Sequence, residues 1–258
     1  MQIITLTTDF GTQDWFAGAM KGVILSIAPR AAIVDITHEI PPGDIRAGAF
    51  ALAAGYRFFP KGTVHVAVVD PGVGSTRRAI AVQTGNYLFA GPDNGVLSWA
   101  LTKEKIRSVH RLENANYLLQ PVSHTFHGRD IFAPVAAHLS CGLPVRKLGP
   151  AQKNFVWLPW PQPRMRGNRI EGEVVFIDRF GNAITNIEHA DWDAQSRLEV
   201  FLGRRRLCQM KAFYQSVPAG QAVAVPGASG FLEIAVNGGS AAKRFRLKIG
   251  DRISVRRR

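Results

Sequence analysis

Residues 64–78 read VHVAVVDPGVGSTRR. Val64 to Val69 is an apolar run of the kind found in strands covered on both faces, as in parallel sheets flanked by helices. The run stops at an acid, Asp70. Pro71, Gly72 and Gly74 then permit a tight loop with exposed backbone N–H groups, and Arg77 and Arg78 follow. A glycine-rich loop after a strand can cradle phosphate. This one matches neither GxxxxGK[ST] nor GxGxxG, and Ala79 to Thr84 predicts another strand instead of the helix those loops require.

The residues before this stretch alternate in the same grammar. Ile3 to Thr8 is a β-branched run ending at Asp9 and Gly11. Phe16, Met20, Val23, Ile24 and Ile27 share one helical face, stopped by Pro29. Residues 32–36 predict a second strand, and residues 45–59 a second helix before Pro60. Strand, helix, strand, helix, strand implies an α/β sheet with helices packed on it. Ligands bind such sheets at the carboxyl ends of the strands, where Asp9 and Asp70 stand. Each acid also has a plain structural reading, as a helix cap or turn former.

Beyond residue 156 the pattern changes. WLPWPQPRMRGNR, residues 157–169, has three prolines and no helical period and reads as a linker. Short runs follow at 173–177, 198–202, 221–225, 231–236, 245–249 and 253–256, with no long amphipathic helix between them. The expected organisation is an α/β N-terminal domain over 1–156, the linker, and an antiparallel β-barrel domain over 170–258.

The 258 residues are 46% hydrophobic, enough for a substantial core. No run approaches the ~20 apolar residues of a membrane span, and the first residues lack a leader pattern, so a cytoplasmic protein with no membrane partner is expected. Cys141 and Cys208 form no CxxC pair, which predicts buried free thiols. The net charge of +13 raises nucleic acid as a partner. Its densest pieces are Arg204–Arg206, Lys243–Lys248 and Arg256–Arg258. A strand period places Lys243, Arg244, Arg246 and Lys248 largely on a solvated face, and aromatics are not interleaved as a stacking platform requires. Nucleic acid is therefore not the expected partner.

Two further segments carry chemistry. HTFHGRDIFAP, residues 124–134, sets two histidines three apart before a helix-like run, but no third ligand stands nearby and no metal is expected. His127 reads either as a hydrogen-bonding or acid–base group or as a loop residue. In VVFIDRFGNAITNI, residues 174–187, Asp178, Asn182 and Asn186 recur every four residues around Phe180 and Gly181. Amides suit a purine edge and an aromatic its face, while the alternative is a β-hairpin whose turn favours Gly and Asn.

Together, TTDFG (7–11), VVDPGVGSTRR (68–78), GPDNG (91–95), FHGRDIFAP (126–134), FIDRFGNAITN (176–186) and GFLEIAVN (230–237) resemble the S-adenosylmethionine hydroxide adenosyltransferase family, relatives of the fluorinase and chlorinase. The motifs fall in family order over nearly the whole chain. The resemblance implies an α/β domain followed by a β-barrel domain, a homotrimer with its site at the subunit interface, S-adenosylmethionine as substrate, and no cofactor or metal. It implies that water or hydroxide attacks C5′, releasing adenosine and L-methionine.

The family's Asp–Arg–His set falls on Asp70, Arg77 and His127, with Arg78 the neighbour to be distinguished from Arg77. Asp9 falls on the ribose acid, Asn182 and Phe180 on the adenine end, Asp178 on the methionine ammonium end, and Ser229 and Glu233 on further barrel contacts. In this reading Asp70 accepts a hydrogen bond from water, while Arg77 and a protonated His127 stabilise hydroxide. The halide-using relatives carry a non-acidic residue at the position of Asp70 and a small polar one at that of Val73. A carboxylate beside an incoming anion repels it, so water is the expected nucleophile. A halogenase and a non-catalytic binding module for S-adenosylmethionine or adenosine are the alternatives.

Overall fold

The computed structural model describes residues 2–188 and 198–257, so Arg258 of the terminal arginine cluster lies outside the described residues. Two compact units divide the chain, Met1–Pro159 and Trp160–Arg258.

The first unit is built on one six-stranded sheet. Its strands are β1 (Ile3–Thr8), β2 (Ala32–Thr37), β3 (Val64–Val68), β4 (Ala79–Thr84), β5 (Leu88–Pro92) and β6 (Ile106–Arg111), in the order β2-β1-β3-β5-β4-β6. β1, β2, β3 and β5 are parallel; β4 runs antiparallel to β5 and β6. The helices are α1 (Phe16–Ile27), α2 (Ile45–Gly55), α3 (Ser98–Leu101) and α4 (Ala133–Ser140). Met20 and Ile24 of α1 and Ala133, Val135 and Ala136 of α4 join Ile4, Leu6, Val66 and Val68 of the sheet in one buried core. Each large apolar side chain so enclosed contributes about 1.5–3 kcal/mol. Asp44 starts α2 by accepting the Ala47 N–H at 2.9 Å. The helix expected over 45–59 ends at Gly55 and tightens into a 3₁₀ turn over Tyr56–Phe58, burying Tyr56 and leaving Phe58 exposed.

The second unit contains β7 (Arg164–Arg166), β8 (Arg169–Ile177), β9 (Ala183–Glu188), β10 (Leu198–Leu202), β11 (Arg205–Gln209), β12 (Ala222–Pro226), β13 (Phe231–Val236) and β14 (Arg252–Arg257). The order is β11-β10-β14-β8-β9-β13-β12, with β7 paired to β8. A Met210–Ala224 bridge and the Lys211 N–H on the Ala224 carbonyl at 2.8 Å bring the two ends together into a nearly closed barrel. Its interior holds Val174, Ile187, Val200, Leu232, Ile234, Ile253 and Val255.

Three expectations change. Arg164–Arg166 of the proline-rich stretch is a strand, not connector. The basic run expected as a strand at 245–249 follows a helical turn, α5 (Ala241–Phe245), because Ser240 caps it by accepting the Lys243 N–H and Ala241 and Phe245 are buried one turn apart. Arg246 then ends the turn in a left-handed conformation, φ 56°. Phe245, beneath Arg205 and Arg244, is buried and offers no stacking face. Finally, Cys141 is exposed, contrary to expectation, whereas Cys208 is buried and burial pushes its thiol up to about 12. Among the described residues, no helix is long and apolar enough to cross a membrane.

Candidate active site

In the first unit, three acids stand at the carboxyl ends of adjacent parallel strands. Asp9 follows β1, Asp70 lies just past β3, and Asp93 follows β5. The Asp9 carboxylate accepts the Gly43 N–H at 2.8 Å. Burial raises its pKa, the Gly43 bond opposes the rise, and the charge on Asp70 adds to it. These strand ends form the mouth where α/β sheets take ligands.

The loop after β3 is held against the 124–127 segment by the absence of a side chain at Gly74. Its φ is +76°, and a Cβ there would stand 2.2 Å from the His124 carbonyl oxygen. Backbone therefore packs on backbone, and two segments distant in sequence become one surface. Across it, the Arg77 Nε donates to both Asp70 carboxylate oxygens at 2.9 Å, and Nη2 donates to Oδ2 in a forked pair. Nη2 also meets His127 Nδ1 at 2.5 Å. Asp70, Arg77 and His127 are thus in one continuous network, and Arg77 further lies over the Phe132 ring at 5.6 Å.

Arg78 is directed elsewhere: it pairs with Asp93 at 2.6 Å, and its carbonyl accepts the Asp93 N–H. Arg77, not Arg78, therefore joins Asp70. The protonated His127 of the sequence reading is disfavoured. Burial first, then the Arg77 charge, lower its pKa, against smaller upward effects of Asp70, Asp130 and a hydrogen bond to the Ser123 backbone. A guanidinium only donates, so Nδ1 is an acceptor and the ring is neutral.

His127 caps one π-helical turn, Gly128–Phe132, that leads into α4. Such turns break the regular backbone pattern and re-aim the side chains beside them. Phe126 packs edge-on against Phe10, Trp15 and Phe16, tying this segment to the one after Asp9.

In the second unit, Asp178 accepts the Asn182 N–H at 2.8 Å and its side-chain amide at 3.0 Å, closing the β8–β9 turn. The hairpin reading of this segment therefore holds, and it leaves Phe180 at the turn 76% exposed. Glu233 of β13 is 6% exposed and accepts the Tyr214 hydroxyl at 2.5 Å. Burial raises the Glu233 pKa; the Tyr214 bond opposes this, and the charge of Asp178 adds to it. Ser229 Oγ is enclosed and makes no hydrogen bond. Tyr214 escaped sequence reasoning, since it sits in a turn-rich stretch without periodicity. Ser123 and Asp130, which brace the His127 segment, escaped it too, although Asp130 was visible as an acid three residues on. Among the described residues, no group of three His, Cys, Asp or Glu could hold a metal ion.

Comparison with known proteins supplies relatives over the full length. The model of the SAM hydroxide adenosyltransferase N-terminal domain matches residues 4–149, and that of the C-terminal domain matches residues 172–254. The (R)-S-adenosyl-L-methionine hydrolase of Salinispora arenicola is 41% identical, covering 98% of this chain and 97% of its own. That of Thermus thermophilus is 40% identical over 97% and 98%. The Fluorinase of an Actinoplanes species is more distant, 27% identical over 98% and 97%. A crystal structure of an uncharacterised conserved protein from Thermotoga maritima superimposes with a TM-score of 0.93 at 37% identity, over 99% of this chain and all of that one.

Proposed function

Because the chain belongs to the SAM hydroxide adenosyltransferase family, we propose that it hydrolyses S-adenosyl-L-methionine, specifically the R-sulfonium epimer, to adenosine and L-methionine. The observation that carries the reading is the continuous network from Asp70 through Arg77 to His127 at the mouth of a parallel sheet. The names of the full-length relatives at about 40% identity support the substrate and its epimer.

A water oxygen forms the new bond to C5′ while the C5′–S electron pair returns to sulfur, leaving neutral methionine. The water's proton passes by way of Asp70 to solvent. Hydroxide meeting a sulfonium cancels charge, so a site with little water favours the reaction over bulk. Asp70 orients the water by accepting its hydrogen bond. Arg77, held by Asp70 and His127, stabilises the developing hydroxide by its positive charge. Neutral His127 keeps the guanidinium from rotating and adds no second cation beside the sulfonium.

Asp9 takes the ribose hydroxyls, Asn182 and Phe180 the adenine, and Asp178 the methionine ammonium, while Ser229 and Glu233 add further contacts from the barrel. A homotrimer, in which the N-terminal domain of one copy meets the C-terminal domain of the next, completes the site. A substrate made inside the cell supports a cytoplasmic location. An acidic Asp70 supports water over halide, in keeping with the lower identity to the fluorinase.

The test is to give the purified chain the S and R epimers separately and follow both products. Faster release of adenosine and methionine from R is expected. Equal rates would remove the epimer preference, 5′-halogenated product in halide would turn the reading to a halogenase, and calorimetric binding without product would make the chain a sensor.

A further inference from the structure

We infer that Asp130 is a positioning residue that sets the protonation and placement of His127; this rests on the proposed hydrolysis only where turnover is read. The side chain of Asp130 is fully buried. A carboxylate withdrawn from water in this way is costly unless every lone pair it presents is engaged. Here the engagement is specific: Oδ1 accepts Arg129 Nε at 2.6 Å, and Oδ2 accepts Arg129 Nη2 at 3.1 Å and the Ser123 backbone N–H at 2.9 Å.

Ser123 is what links this buried charge to His127. Its hydroxyl accepts the Phe126 N–H at 3.0 Å, and its backbone is hydrogen-bonded by the His127 ring. The Asp130 backbone closes the same segment, donating to the Phe126 carbonyl at 3.1 Å and accepting the Leu119 N–H at 2.8 Å. Arg129, which neutralises the carboxylate, lies over Phe126 at 5.2 Å. One buried carboxylate thus ties both ends of the segment that carries His127. The charged groups acting on the imidazole are Arg77, Asp70 and Asp130. Asp130 favours the protonated ring and Arg77 the neutral one, so the two fix where His127 titrates.

Two substitutions with opposite expected signs test this. Asp130→Asn keeps the shape but removes the negative charge, so the His127 titration, followed by ¹⁵N NMR of the imidazole, moves to lower pH. Arg129→Gln leaves the carboxylate uncompensated, so it moves to higher pH. Mere loosening of the fold would shift both the same way. With turnover, Asp130→Asn weakens the charge-assisted anchor that places His127, so plateau kcat falls by about tenfold while KM holds within twofold, and the acid limb moves to lower pH with the NMR shift. An unmoved His127 titration in both variants, or shifts of the same sign, would overturn the inference. A chain that shows the opposed NMR shifts but releases no adenosine would instead overturn the hydrolase reading and leave Asp130 in its role.

Discussion

Nη2 of Arg77 stands 2.5 Å from Nδ1 of His127, and the imidazole must be the acceptor because a guanidinium has nothing but donors to offer. With its pKa lowered by burial and by Arg77, His127 binds fewer protons folded than unfolded between that lowered value and about 6.5. The network is therefore intact above about pH 6.5 and lost as pH falls through the lowered pKa. The expected profile of kcat/KM has an acid limb with its midpoint below that of an ordinary histidine, and His127→Asn removes the limb. A midpoint at or above 6.5 would contradict the neutral ring.

The two adjacent arginines are expected to separate cleanly. Arg77→Lys replaces a fork shared between carboxylate and imidazole with a point charge, which lowers kcat by about 10²-fold or more with little loss of stability. Arg78→Ala strips the charged partner from Asp93, whose side chain is 1% exposed, and leaves it the Val156 N–H at 2.6 Å. Because Arg78 itself is partly solvated, the expected cost is about 1–3 kcal/mol. Residual turnover per folded molecule should stay within a few-fold. Denaturant titration beside an adenosine assay checks both, and equal kinetic losses would dissolve the distinction.

The choice between these arginines shows what a linear sequence can and cannot carry. The elements of the sheet were legible because β1 is a β-branched run, β3 an apolar one and α1 has a clean face, so pattern alone locates them. Consecutive residues in an extended segment point to opposite sides, and only the partners, Asp70 for one and Asp93 for the other, decide which faces the site. The linkage of Asp70 to His127 through Arg77, between segments far apart in the chain, depends on Gly74 touching His124, which no local pattern encodes. The run at 243–248 misled because alternating cations suit an exposed strand as well as a capped turn, and the capping Ser240 lies before it. The arginines at the start of β11 similarly hid a strand whose buried member is Cys208.

Gly74 itself is the most exacting position of the loop. Gly74→Ala places a Cβ 2.2 Å from a carbonyl oxygen at a φ of +76°, so the loop must withdraw from the 124–127 segment. The expected result is a loss of about 2–4 kcal/mol in stability together with near-complete loss of turnover, because Arg77 then reaches only one of its partners. Thermal unfolding and the adenosine assay read the two effects. Full activity in this variant would show that the contact between the segments is dispensable.

Tyr214 and Glu233 give the barrel its own prediction. Burial has already raised the Glu233 pKa, and the Tyr214 hydroxyl is the group that restrains the rise, so Tyr214→Phe moves Glu233 further up. A carboxylate that protonates at higher pH is available to a cationic substrate over a narrower range. The loss should therefore appear in KM, not kcat, and grow as pH falls toward the raised Glu233 pKa, being smallest at alkaline pH where the carboxylate is charged in both proteins. Glu233→Gln should weaken binding most at alkaline pH, where the wild-type carboxylate is charged, and leave a KM that no longer follows the Glu233 titration. The check is KM for S-adenosylmethionine across pH in all three proteins; a pH-independent effect of Tyr214→Phe would assign the hydroxyl a packing role alone.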